Sequence, residues 1–303
     1  MTIKKHKKIP AVLLSFSCKK NGILAFLLFL FVHIQAQDIR PPRLGGIVKV
    51  TYLVSDYGLA QSYYGDFLGF DKAFSYDSPR GKVVSYKVND RQFLEFIEDK
   101  QARLKDRFLG VTFETANAEE MRCFLRDKGI EVPHEITVDG AGNKIFEVKD
   151  PAGVPIQFME WGNNSLHRAS KGKFLSDRRI SKRIHHVGLY SEKMEDNPHF
   201  YTDVLGFKLF LRVPENRQQS PEIIYFQIPG TAEFVEHYPT DTRDFSHPCF
   251  VAEDMQEVMN TLHERRKTET LGDPMVGKGR RWLLNLATAD GTRVEFTEMF
   301  LAK

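Results

Sequence analysis

The stretch "YYGDFLGFDKAF" (63–74) returns later in the chain as "FYTDVLGFKLFL" (200–211). Each copy runs from an aromatic-rich segment through Leu-Gly-Phe into an apolar alternation. The offset between them is 137 residues, since Leu68 aligns with Leu205. Working outward, "GIVKVTYLVSD" (46–56) matches "RIHHVGLYSEK" (183–193) at the same offset, setting Lys49 against His186. "QFLEFIED" (92–99) aligns with "TAEFVEHY" (231–238), setting Glu95 against Glu233. "FLGVTFETANAEEMRCFLRDKG" (108–129) matches "FSHPCFVAEDMQEVMNTLHERR" (245–266), with Gly110 against His247. Finally "VKDPAGVPIQFME" (148–160) matches "ATADGTRVEFTEM" (287–299), with Gln157 against Glu295. A nearly constant offset over five separated segments identifies a duplication.

Each half divides again. An alternating apolar run, an amphipathic segment and three short strand-like runs follow one another twice per half. In "DYGLAQSYYGDFL", Leu59, Tyr63 and Phe67 stand four apart, the spacing of one helix face. "NAEEMRCFLRDKG" repeats the pattern with Met121 and Leu125 and stops at Gly129, a helix-terminating residue. The expectation is an α+β chain of four βαβββ units, arranged as two paired-unit domains over 37–161 and 183–303. Between them, residues 162–182 are polar and basic, which predicts an exposed crossing.

The first 36 residues stand apart. A lysine-rich start, an apolar run from Ile23 to Ile34 and the ending Ile34-Gln35-Ala36 have the form of a cleaved secretory signal. The run is shorter than the ~20 residues of a membrane span. The reading is therefore a secreted or periplasmic protein with no membrane attachment after cleavage. The whole chain carries a formal charge of +3, and residues 1–36 hold six lysines and no acid, so the mature chain is net −3. Such a balance does not suit nucleic acid. Two cysteines remain after cleavage, Cys123 and Cys249, one in each half, and free thiols are expected.

The paired βαβββ units, the "FYTDVLGF" segment and the end strand "DGTRVEFTE" resemble the vicinal oxygen chelate superfamily over roughly residues 46–299. That group includes glyoxalase I, extradiol dioxygenases and bleomycin-binding proteins. The resemblance implies that each domain curls into a half-open barrel, with ligands from the first and last strands of each unit. In the second half those positions hold His186, Glu233, His247 and Glu295. The family pattern also makes His186, not the adjacent His185, the inward residue. The corresponding set in the first half is Lys49, Glu95, Gly110 and Gln157, which lacks most metal donors because a protonated lysine and a glycine offer none.

Imidazole and carboxylate together suit borderline divalent ions such as Fe, Ni, Zn or Mn. A metal of this kind acts on a small oxygen-rich substrate as a Lewis acid. The resemblance leaves three activities open. The first is a glyoxalase-type lyase or isomerase, with Glu295 or Glu233 as the base. The second is an Fe(II) ring-cleaving dioxygenase, although Asn285 and Ala289 stand where that group carries a tyrosine and a proline. The third is a non-catalytic small-molecule binder. "GKGRRW" (277–282) reads as an exposed basic hairpin or as a grip for an anionic substrate. Self-association into a homo-oligomer is compatible with all three.

Overall fold

The computed structural model describes residues 41–101, 107–191, 195–213, 222–239, 245–266, 271–277, 279–288 and 290–302. Residues 1–36, expected to be a secretory leader, therefore lie outside the described residues, as does Ala289.

Among the described residues, sixteen strands form two eight-stranded sheets. The first sheet uses β1 (Leu44–Val54), β2 (Asp71–Ser78), β3 (Gly81–Lys87), β4 (Phe93–Glu98), β5 (Phe108–Thr115), β6 (Thr137–Val138), β7 (Lys144–Lys149) and β8 (Pro155–Glu160). The second uses β9 (Ile184–Ser191), β10 (Lys208–Val213), β11 (Ile223–Gln227), β12 (Phe234–Pro239), β13 (His247–Ala252), β14 (Met275–Val276), β15 (Arg281–Ala287) and β16 (Arg293–Leu301). Their orders are β2-β3-β4-β1-β5-β8-β7-β6 and β10-β11-β12-β9-β13-β16-β15-β14, the same pattern twice. Each unit contributes four strands and a helical segment after its first strand, so the four βαβββ units are as the repeat predicts.

The helices show why those segments leave the sheets. In α1 (Tyr57–Ala60), Asp56 caps the start by accepting from the Gly58 and Leu59 amides. The helix then widens into a π-turn at Gln61–Phe67. This wider turn breaks the four-residue spacing. Ala60, Tyr63, Tyr64 and Phe67 are buried, whereas Leu59 is 52% exposed. The matching segment in the second half, His199–Val204, is also π-helical. In α2 (Ala118–Asp127), Asn117 caps the Glu120 amide and Met121 and Leu125 face the core. Gly129 follows at φ +80°, a left-handed turn that suits glycine.

Residues 162–182 are more firmly held than an exposed crossing requires. They include a short helix, α3 (Leu166–Ala169), and bury Ser165, His167, Ser170 and Ser181. The buried Lys87 ammonium donates to the carbonyls of Ser170 and Lys173, tying the segment to the first sheet. Charge in the sequence hid this attachment, because the anchoring groups are backbone carbonyls. The last long helix, α4 (Met255–Arg265), is capped by Asp254.

One apolar core runs through both halves. It joins Phe70 to Phe250 and Phe113 to Phe207, with ring centroids 5.2 and 5.6 Å apart. Matching polar contacts flank it. Gln92, just before β4, accepts from the Ile184 amide and donates to the Ile184 carbonyl. Glu233, just before β12, accepts from the Ile47 amide at 2.6 Å. Ile47 and Ile184 are equivalent in the repeat, so the two contacts are related by pseudo-twofold symmetry.

Candidate metal centre

Four adjacent strands of the second sheet, β12, β9, β13 and β16, each carry one candidate ligand: Glu236, His186, His247 and Glu295. A donor atom from each lies within 4.8 Å of the other three. His186 Nε2 is 3.1 Å from Glu236 Oε2 and 3.6 Å from Glu295 Oε1. His247 Nε2 is 3.6 Å from Glu295 Oε2. Both imidazole Nε2 atoms are buried, yet neither has a hydrogen-bond partner among the described residues. Buried polar atoms rarely stay unpaired. Two of them converging on two carboxylates fit a metal ion, and the mixed N/O donor set suits Mn, Fe, Ni or Zn.

Three of the four residues expected from sequence are brought together. Glu233 is not, and Glu236 occupies its place. In the first sheet β1 pairs with β4 so that Thr51 faces Glu95, and in the second β9 pairs with β12 so that Gly188 faces Glu236. Thr51 and Gly188 are repeat equivalents, so the true counterpart of Glu95 is Glu236, offset by 141. Because 233 and 236 differ by an odd number, the two side chains leave the strand on opposite faces. Glu233 instead meets Ile47 and Gln92 Nε2 at the contact between halves. A signal was present: Phe93-Leu94-Glu95 and Phe234-Val235-Glu236 share an aromatic–aliphatic–Glu pattern.

The surroundings tune each donor. His247 Nδ1 lies 2.8 Å from the Phe245 carbonyl, which can only accept. The Tyr238 hydroxyl lies 2.7 Å from the same nitrogen; with the proton on Nδ1 the ring donates to the carbonyl and Nε2 presents a lone pair. Glycine makes room for this ring. A Cβ on Gly188 would lie 2.5 Å from His247 Cε1. Burial pushes the Glu295 carboxyl up, but the adjacent His247 imidazole, followed by the charges of His186 and Arg293, outweighs this and draws it down to about 2. Tyr225 hydrogen-bonds Glu236, and burial followed by that carboxylate raises its phenol well above the ordinary range.

His185 does not turn away from the site. Its Nδ1 is 3.0 Å from His186 Nδ1, so one of the two nitrogens donates to the other. Burial, then the neighbouring cations, depress it to about 2, so it is neutral. Its Nε2 lies 3.3 Å from the Arg281 guanidinium. Arg281 and His185 belong with His186, Glu236 and Glu295 to the lining of a cavity of about 240 Å³. Phe210, Tyr225 and Phe234 supply an aromatic side of that cavity. The basic hairpin thus places one of its arginines against the site.

The corresponding strands of the first sheet hold no comparable set. Lys49 Nζ lies 3.0 Å from Glu95 Oε2, and Gly110 stands where the second half has His247.

Comparison with known proteins agrees with this geometry. Residues 183–296 match the model of the Glyoxalase/Bleomycin resistance protein/Dioxygenase superfamily. No curated protein matches the chain. Among solved structures, the Mn(II)-bound glyoxalase from Novosphingobium aromaticivorans is 17% identical, with 86% of this chain and 85% of that one covered at a TM-score of 0.65. The 3,4-dihydroxyphenylacetate complex of homoprotocatechuate 2,3-dioxygenase from Brevibacterium fuscum is 15% identical, covering 85% and 81% at 0.65. The 2,3-dioxygenase LapB from Pseudomonas sp. KL28 is 15% identical, covering 86% and 93% at 0.63. The matched second half and the four βαβββ units make this chain similar to the Glyoxalase/Bleomycin resistance protein/Dioxygenase superfamily, with one fold repeated in both halves.

Proposed function

We propose that the second half binds one divalent metal ion through His186, Glu236, His247 and Glu295, and that the protein is an exported lyase or isomerase of the glyoxalase type. The observation that carries this reading is the convergence of two buried imidazole nitrogens on two carboxylates, four donor atoms within 4.8 Å of one another. When bound, the metal supplies Lewis-acid polarisation of a substrate oxygen. The chain's own groups do the rest. Glu295, flanked by Arg293 and His247, stays ionised and fixed. Glu236 is the less enclosed carboxylate, bordering the cavity, and serves as the base for a proton on carbon beside a carbonyl. The Tyr225 hydroxyl steadies Glu236, while Phe210 and Phe234 exclude water from one side of the substrate. A Mn(II)-bound glyoxalase among the structural neighbours supports the choice of metal chemistry.

The confinement of this cluster to the second half favours one other reading, an Fe(II) ring-cleaving dioxygenase, and two of the structural neighbours are named as 2,3-dioxygenases. Metal analysis of protein lacking residues 1–36 tests both, after anaerobic reconstitution with Fe(II), Mn(II), Ni(II) or Zn(II). About one ion per chain, lost in a His186→Ala/His247→Ala variant, is the expected result. Oxygen uptake with a catechol only in the Fe(II) form would move the reading to the dioxygenase. No stoichiometric metal under any condition would leave a binding protein. Export rests on the leader alone, and recovery of a mature form beginning near Gln37 in the extracytoplasmic fraction is the expected outcome.

A further inference from the structure

A cavity of about 690 Å³ lies in the first half, lined by none of the four candidate ligands. Its apolar side consists of Val83, Ile97 and Leu109, part of a small cluster separate from the main core. On its floor, the metal-ligand positions are closed off internally. The buried Lys49 ammonium lies 3.0 Å from Glu95 and 3.8 Å from Asp139. Glu95 also accepts from the Tyr76 hydroxyl at 2.8 Å and sits 3.2 Å from His167 Nε2. This floor needs no metal, because the lysine supplies the positive charge in its place.

The ion pairing leaves a charge imbalance. The lining acids are Asp77, Glu95, Asp139 and Glu147, against the bases Lys49 and Arg80. Lys49 is committed to two of those acids. Asp77 and Glu147 are exposed and have no ion-pair partner among the described residues. A cavity bounded by low-dielectric walls focuses such an excess, favouring cations and repelling anions. Binding sites of this form combine an apolar body pocket with a few polar groups that set orientation.

We infer that the first half is a second, metal-independent binding site, which takes a small organic cation with its apolar body on Val83, Ile97 and Leu109 and its ammonium toward Asp77 and Glu147. The site is independent of the metal reading. The first half then holds a ligand of its own, and is not only a scaffold for the second.

Fluorescence titration with 1-naphthylmethylamine, 1-naphthalenemethanol and 1-naphthoate tests the assignment by holding the ring body constant and changing the charge. The amine is expected to bind at least about tenfold more tightly than the naphthoate. The preference should weaken as salt is raised. Binding should persist in the His186→Ala/His247→Ala variant and in chelator. An Asp77→Asn/Glu147→Gln variant, altered only at exposed positions, should lose most of the charge preference. Leu109→Trp, with its folding checked by circular dichroism, should abolish binding by filling the cavity. Equal or tighter binding of the naphthoate would overturn the inference. So would no binding of any probe by about 1 mM, or loss in the histidine variant with retention in Leu109→Trp.

Discussion

At the scale of single residues, the two glutamates three positions apart separate ligand chemistry from packing. Glu236→Gln should lower metal affinity at least about tenfold, since an amide oxygen is a weaker donor than a carboxylate. Glu233→Ala should leave metal stoichiometry unchanged and instead cost about 1–3 kcal/mol, because the Ile47 amide and Gln92 lose their acceptor. Metal titration and denaturant unfolding of both variants would distinguish the roles, and the reverse pattern would return Glu233 to the site. The family resemblance laid on the repeat reached three of the four cluster residues because β9, β13 and β16 keep its register. Glu236 was not, because the offset grows to 141 at β12 and an odd slip changes the face. His185 was missed for a different reason: strand alternation says nothing about two neighbouring rings that reach toward each other. Asp150 gives a second prediction at this scale. Burial raises its carboxyl from 3.8 to about 6, despite bonds from the Val154 amide and the Tyr201 hydroxyl. The native state then holds this proton more tightly than the unfolded chain. Its stabilising effect is complete below about pH 4 and is lost as pH rises through 6, a span of about 3 kcal/mol. Asp150→Asn should therefore be more stable than the parent above pH 6, with the difference closing toward pH 4 in urea titrations. An equal gap at both ends would refute the assignment.

At the scale of elements, the duplication was readable because the Leu-Gly-Phe break, the capped helices and the end strands recur with their turn chemistry intact. The widened helical turns were not readable. A π-turn keeps helical composition while shifting which side chains face inward, which is why Leu59 is exposed and Tyr64 buried. The pairing of strands also explains how one half gained a cluster that the other lacks. In the first sheet Gly110 of β5 faces Thr51 of β1, whereas in the second His247 of β13 faces Gly188 of β9. The glycine has changed strands, and the ring fills the space it leaves. Gly188→Ala should therefore displace His247, reducing metal affinity by about tenfold or more with modest loss of stability. Calorimetric metal titration checks this, and unchanged affinity would show that His247 is not a ligand.

At the scale of the whole molecule, the halves are two sheets by hydrogen bonding but one body by packing. The apolar core passes from Phe70 to Phe250 and from Phe113 to Phe207 without a polar layer between. Hydrogen bonds cross as well. The Tyr64 hydroxyl donates to Thr292 at 2.8 Å, and that of Tyr52 reaches the Ser246 and Arg293 carbonyls. Ser246 precedes the ligand His247, and Arg293 flanks Glu295. The first half thus buttresses the two strands that carry His247 and Glu295. This arrangement gives the first half a role in the site even though it supplies no ligand. Scanning calorimetry of residues 37–303 should show a single transition, with calorimetric and van't Hoff enthalpies equal. Tyr52→Phe should lower its midpoint by leaving two buried carbonyls without that donor, a cost of about 1–3 kcal/mol. It should also weaken metal binding without touching a ligand. Two resolved transitions, or a Tyr52→Phe variant that unfolds earlier yet binds metal as before, would separate the halves and confine the site to the second.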